Sequence, residues 1–136
     1  MNVSGVPTPK PRVVIADDYP AMLDKVARLL ARDFNLISRV ADGAAAVEAA
    51  LALNPDILIL DIAMPRMDGF EAAKRLQEAG CSTKIIFLTA GDEQGGLDWR
   101  GVGVQGYVLK RRMRSDLVFA IKEVLAGRLF FRDDSI

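Results

Sequence analysis

The sequence predicts an α/β fold in which five βα units wind onto both faces of one parallel sheet. Three observations predict it. Short apolar runs alternate with longer amphipathic ones along the chain. Gly, Pro, Asn and Asp punctuate the junctions between them. The central run Asp56–Leu60 (DILIL) is apolar on both faces, as a parallel strand covered by helices on both sides requires.

Arg12–Ala16 (RVVIA) reads as the first buried strand. Pro20 suits the first turn of a helix, and Met22, Leu23, Val26, Leu29 and Leu30 recur at helical spacing. Phe34–Val40 reads as strand two, and Ala44–Leu53 as a helix stopped by Asn54-Pro55. After strand three, Asp68 and Glu71 have the spacing of a capping box and open a helix that runs to Gly80. Lys84–Leu88 is strand four and Val104–Leu109 strand five. A last helix starts near Ser115 and ends at Gly127. Between strands four and five lie Gly91, Gly95, Gly96, Gly101 and Gly103. Each interior glycine costs a helix about 1 kcal/mol relative to alanine, so a short or mobile fourth helix is expected there.

The totals narrow the function. With 136 residues, 51% of them hydrophobic, the chain forms one domain with a two-sided core. Lys plus Arg equal Asp plus Glu at 18 each, which gives no charge-driven reason to bind nucleic acid or membrane. No apolar run approaches the ~20 residues of a membrane helix, and the start lacks a signal core. One cysteine, Cys81, excludes an internal disulfide and suits a reducing, cytoplasmic setting. There is no histidine, so any chemistry runs on carboxylates, hydroxyls and lysine.

Ligands of open parallel sheets bind at the carboxyl ends of the strands, where strand order reverses. Strand one ends in Asp17-Asp18, strand three in Asp61, strand four in Thr89 and strand five in Lys110. Strand two runs into Asp42-Gly43, which suits a turn. With strand order 2-1-3-4-5, strands one and three are neighbours at the reversal. Three carboxylates then share one crevice with a hydroxyl and an ammonium. Such carboxylates repel unless a cation joins them, and oxygen ligands without His or Cys suit Mg²⁺ rather than zinc. An aspartate can attack phosphorus to form an acyl phosphate, and Lys110 and Thr89 are the donor types that its oxygens need. Taken singly, each residue has an ordinary explanation as a helix cap, a turn residue, a strand-end hydroxyl or a solvated lysine. All five landing on one rim is much harder to explain that way.

From about Arg12 to Gly127 the chain resembles a response-regulator receiver domain of two-component signalling. The matching pieces are Asp17-Asp18-Tyr19-Pro20, the run from Asp61 to Gly69 (DIAMPRMDG), Thr89-Ala90, and Gly106-Tyr107-Val108-Leu109-Lys110. The resemblance implies a (βα)5 flavodoxin-like doubly wound sheet over 12–127, with a disordered lead-in at 1–11 and a tail or linker start at 128–136. It implies phosphorylation of Asp61 from a histidine kinase or phosphotransfer protein. Asp18 and Asp61 would bind Mg²⁺ directly, Asp17 through water, and Ala63 through its backbone carbonyl. Thr89 and the Ala90 amide would contact the phosphoryl group and Lys110 would pair with it. Tyr107 would change rotamer with Thr89 and alter the face around the fourth helix and strand five. Beyond its own phosphorylation and slow dephosphorylation, no enzyme activity is implied.

The details most resemble the branch whose receivers precede a helix-turn-helix output domain in transcription regulators, with homodimerisation on phosphorylation implied by resemblance alone. The chain reaches Leu129-Phe130-Phe131-Arg132 near where a linker would begin. Trp99, Gly101 and Gly103 depart from the family's alanine-rich fourth helix, and Arg111 replaces the proline that many receivers carry after the lysine. Ala63 and Gly91, each two residues beyond a site residue, are small, which predicts a phosphoryl group open to attacking water. The basic run Lys110–Arg114 is expected to be a solvated loop, and Leu129, Phe130 and Phe131 to cover a sheet edge or pack on a further domain.

Three other functions compete with this one. An aspartyl-phosphate hydrolase typically needs a second acid where Ala63 stands. A flavodoxin-type binding module would need a phosphate-cradling loop where Asp17-Asp18 stand. A pseudo-receiver acting by protein contact without phosphorylation would not need the five residues intact.

Overall fold

A computed structural model describes residues 9–91 and 99–131. The chain forms β1 (Arg12–Ala16), α1 (Pro20–Leu30), β2 (Asn35–Val40), α2 (Gly43–Leu53), β3 (Ile57–Leu60), α3 (Gly69–Glu78), β4 (Lys84–Thr89), β5 (Gly106–Leu109), α4 (Met113–Leu125) and β6 (Phe130–Phe131). The strands make one sheet in the order β2-β1-β3-β4-β5-β6, every pair parallel. The predicted order therefore holds, with a sixth strand added at the β5 edge.

The sheet is covered on both faces because its central strands are apolar on both faces. Val13, Ile15, Ile57, Ile59, Ile86 and Leu88 point to one side and pack against Val26 and Leu30 of α1 and Leu117, Ala120, Ile121 and Val124 of α4. Val14, Ala16, Leu58, Leu60, Ile85 and Phe87 point to the other and meet Ala46 and Ala50 of α2 and Ala72, Ala73 and Leu76 of α3. All four β3 side chains are 0% exposed. Trimming one to alanine would cost about 2–5 kcal/mol, so β3 anchors the frame that carries Asp61.

Helix starts follow local chemistry. Pro20 opens α1 at a position whose N–H needs no partner. Asp42 caps α2 by accepting from the Ala45 amide at 2.8 Å, and Asp68 caps α3 through the Glu71 amide at 2.8 Å. The predicted Asp68–Glu71 start is thus observed. The last helix begins at Met113, before the expected Ser115, because the chain leaves β5 through a 3₁₀ turn at Lys110–Arg112 that runs straight into it.

Two other regions bear on the sequence reading. Residues 92–98 of the glycine-rich segment expected to hold a fourth helix lie outside the described residues; Trp99–Val102 forms one 3₁₀ turn. Most of the predicted lead-in also lies outside them, although the Pro11 carbonyl accepts from the Asn35 amide at 2.9 Å. Among the described residues, no helix is long and apolar enough to cross a membrane.

The sixth strand comes from the segment read as a tail or linker start. Phe130 pairs with Gly106 and Phe131 with Tyr107, and the Phe130 amide donates to the Gln105 carbonyl at 3.0 Å. Phe130 is 7% exposed and meets Phe119 edge-on at 5.8 Å. Burying a phenylalanine contributes about 1.5–3 kcal/mol, while ordering two backbone residues costs ~1–2 kcal/mol each. The two nearly cancel, so the docking of β6 rests on a small net balance.

Candidate functional site

Strand register brings the predicted residues together. Ala16 pairs with Leu60, so the residues that follow them, Asp17 and Asp61, leave adjacent strands at the same level. The Asp61 amide donates to the Ala16 carbonyl at 2.9 Å and the Asp17 amide to the Val40 carbonyl at 3.0 Å. One oxygen from each of Asp17, Asp18 and Asp61 lies within 4.8 Å of the others. Thr89 pairs with Leu109, which puts Thr89 and Lys110 on the same rim. Tyr107 stands half-buried on β5, while Ala63 and Ala90 are exposed beside the crevice.

The carboxylates differ in environment. Asp17 is 0% exposed and Asp61 4%, whereas Asp18 faces solvent. Lys110 Nζ reaches Asp17 Oδ2 at 2.9 Å and Asp61 Oδ2 at 3.4 Å. Asp17 Oδ1 accepts from the Tyr19 amide at 2.9 Å. The contact to Oδ2 is an ion pair that is not aligned as a hydrogen bond, so this buried oxygen retains unmet acceptor capacity.

Burial, and then the neighbouring Asp17 charge, push the Asp61 carboxyl up to about 6, with Lys110 opposing both. Burial pulls the Lys110 ammonium down, but its close contact with Asp17 and the charges of Asp61 and Asp17 outweigh that and raise it. Three carboxylates against one ammonium leave two negative charges unbalanced when all are ionised. The crevice therefore favours a further cation. Mg²⁺ fits the donor set: clustered carboxylate oxygens, one of them a buried acceptor lacking an aligned donor, and no nitrogen or sulfur ligand among them.

The loop that carries Asp61 and Ala63 is fixed by contacts that sequence reasoning missed. The Gly69 amide donates to the Ile62 carbonyl at 2.7 Å, and a Cβ on Gly69 would overlap the Asp61 carbonyl. Gly43 N donates to the Met67 carbonyl at 3.0 Å. Arg66, at φ +65°, forks onto Asp42 Oδ2 at 2.8 and 3.3 Å. Asp42, read only as a turn residue, thus caps α2 and holds this loop. Its carboxyl lies below the usual range, first because the Ala45 amide donates to it and then because of Arg66. The signal available in sequence was the pair Asp42-Gly43 and Asp68-Gly69, both read as local turn and cap chemistry.

The basic run also divides. Lys110 belongs to the crevice, and Arg112 pairs with buried Asp116 at 3.2 Å. Arg111 and Arg114 are exposed, but Arg111 sits in the 3₁₀ turn and Arg114 in the first turn of α4, so the run is not the solvated loop expected.

Comparison with known proteins agrees with this geometry. The family model for the response regulator receiver domain matches residues 13–122. Among curated relatives, YvfU, a transcriptional regulatory protein of Bacillus subtilis, is 36% identical over 124 residues, covering 88% of this chain and 62% of that protein. The transcriptional regulatory protein NarL of Mycobacterium tuberculosis is 34% identical over 123 residues, 88% of this chain and 56% of that protein. The solved signal receiver domain of NarL from that organism superposes with a TM-score of 0.83 at 33% identity, covering 89% of this chain and 100% of that one. The chain spans about three-fifths of the length of these curated relatives. With its parallel sheet, its strand order and the acidic crevice at its rim, the chain belongs to the response-regulator receiver-domain family.

Proposed function

We propose that this receiver accepts a phosphoryl group on Asp61 from the phosphohistidine of a histidine kinase or phosphotransfer protein, in a Mg²⁺-dependent step. The observation that carries the reading is the convergence of Asp17, Asp18 and Asp61 oxygens within 4.8 Å, beside the Lys110 ammonium.

An Asp61 carboxylate oxygen attacks phosphorus, the P–N bond of the donor breaks, and its electron pair returns to the imidazole. Asp17, Asp18, Asp61 and the Ala63 carbonyl are the residues that would hold Mg²⁺, which when bound offsets the charge of carboxylates and phosphoryl oxygens. Lys110 and Thr89, from the ends of β5 and β4, supply a cation and a hydroxyl to those oxygens, with the Ala90 amide beside them. Attack of water on the acyl phosphate resets the site, so turnover is limited to this one residue.

Thr89 and Tyr107 then form the switch that alters the outer face of β5. The relatives are named as transcription regulators, and the chain spans part of their length. In this reading its role is regulatory and cytoplasmic, gating an output such as transcription, without direct contact between this domain and nucleic acid. Phosphorylation-dependent pairing with a second copy is part of the same reading.

The test uses acetyl phosphate and Mg²⁺. Intact mass should rise by one phosphoryl group, and the gain should be absent in Asp61→Asn and with EDTA. Steady phosphate release over many turnovers would point to a hydrolase instead. No adduct under any condition would point to a pseudo-receiver.

A further inference from the structure

We infer that β6 is a releasable clasp, held by Tyr107 and freed when Asp61 is phosphorylated, so that occupancy of the site is reported to the chain beyond Phe131. The inference rests on the receiver reading above and adds the element that Tyr107 acts upon.

The path follows from strand register. Paired residues of a parallel sheet face the same side, and faces alternate along each strand. Phe87 pairs with Tyr107, Tyr107 with Phe131, and Thr89 with Leu109. Thr89, Phe87, Tyr107 and Phe131 therefore share one face, in a row that runs from the aspartyl crevice to the β6 edge. Thr89 is 2% exposed, so a shift of its side chain toward the crevice leaves a void inside this row. Tyr107, half-buried and beside Thr89 on the diagonal, is the side chain placed to fill that void.

What Tyr107 leaves behind is Phe131. The two rings lie 6.0 Å apart at 59°, on the outer side of the row. Phe131 is 46% exposed even with this contact, so the Tyr107 ring is one of the contacts that hold it against the sheet. Phe130 faces the opposite side of the sheet, against Phe119, and does not sense the movement directly. The strand thus has one fixed anchor and one conditional anchor. Because its docking is nearly balanced against ordering, weakening the conditional anchor shifts the strand toward release.

Amide hydrogen exchange on the whole chain tests this, comparing Mg²⁺ alone with Mg²⁺ plus beryllofluoride, a mimic of the aspartyl phosphate. Bound fluoride is followed separately by ¹⁹F NMR. With the fluoride bound, exchange at the Phe130 amide, which donates to the Gln105 carbonyl, should speed up at least tenfold, while β3 amides stay protected. In Phe131→Ala the same amide should exchange fast without the mimic and gain little from it. Tyr107→Phe should behave as the wild type, since the ring and not the hydroxyl makes the contact. Tyr107→Ala should exchange fast in both states. If ¹⁹F NMR shows the mimic bound and β6 exchange is unchanged, the clasp is refuted while the phosphoacceptor reading stands. If no bound fluoride is seen, the phosphoacceptor reading fails and takes the clasp with it.

Discussion

Lys110 sits closer to Asp17 than to Asp61, at 2.9 Å against 3.4 Å. Its first task in this state is to neutralise a carboxylate that has no exposure to water. Removing the ammonium leaves Asp17 with only the Tyr19 amide as a fixed donor. Lys110→Ala should therefore destabilise the protein in EDTA by on the order of 2–3 kcal/mol, the usual cost of stranding a buried charge. Mg²⁺ restores a counter-charge, so the stability gained on adding it should be larger in Lys110→Ala than in the wild type. Urea unfolding with and without the ion measures both differences. Equal stability of the two proteins in EDTA would show that the pair holds nothing.

The Asp61 carboxyl titrates near 6 in the folded protein against 3.8 for an ordinary aspartate, through burial and then the Asp17 charge. Below 3.8 both folded and unfolded chains carry the proton, and the contribution to stability is fully present. As pH rises through 6 the folded chain gives up the proton and the contribution is lost. The ionised carboxylate is thus a burden on the fold at neutral pH when no metal is present. Asp61→Asn should be more stable than the wild type in EDTA at pH 7.5, and the gap should close as pH falls toward 4. Unfolding midpoints across that range decide it. A gap that is constant with pH would mean that Asp61 does not titrate in this window.

The five site residues could be read in the sequence because each ends an apolar run, and a parallel sheet sends all such ends to one rim. Asp17, Asp61, Thr89 and Lys110 needed only the strand order to be placed together. What the sequence could not supply was contact between loops. Nothing in Asp42-Gly43 says that its carboxylate will meet Arg66, since the two are brought together by the packing of α2 against α3. That Phe130 and Phe131 cover a sheet edge was legible, but not that they pair as a strand, since two residues carry no periodicity and the open edge of β5 supplies the partner. Likewise Asp17 and Asp18 are neighbours of one type, yet one is fully buried and the other exposed, because the chain turns out of β1 between them.

Phosphate release should depend on Ala63 more readably than on Gly91. Both are small, and bulk at either was expected to shield the acyl phosphate from water. Gly91, however, has φ +84°, and a Cβ there would come within 2.7 Å of Leu109 Cδ2, so any substitution disturbs the backbone beside Thr89. Ala63 is exposed, and a longer side chain there has room. Ala63→Leu should lengthen the half-life of the phosphorylated protein by up to about tenfold, which is ~1.4 kcal/mol on the barrier. Loss of the phosphoryl mass with time measures it. An unchanged half-life would show that water reaches phosphorus from another side.

The loop that carries Asp61 should tolerate loss of its visible ion pair and not of its glycine. Arg66 has 73% of its side chain exposed, and surface pairs of this kind contribute about 0–1 kcal/mol. Its φ of +65° costs roughly 1–2 kcal/mol in a residue with a side chain, a cost that glycine does not bear. Arg66→Gly therefore loses one small term and gains another, and should change stability by less than about 1 kcal/mol. Gly69→Ala places a Cβ on the Asp61 carbonyl, a backbone atom that cannot step aside without moving Asp61 itself. It should cost about 2–3 kcal/mol and also weaken Mg²⁺ binding, because the displaced residue is one of the proposed ligands. Calorimetric Mg²⁺ titration beside urea unfolding separates the two effects. Full Mg²⁺ affinity in a destabilised Gly69→Ala would show that the glycine serves folding alone.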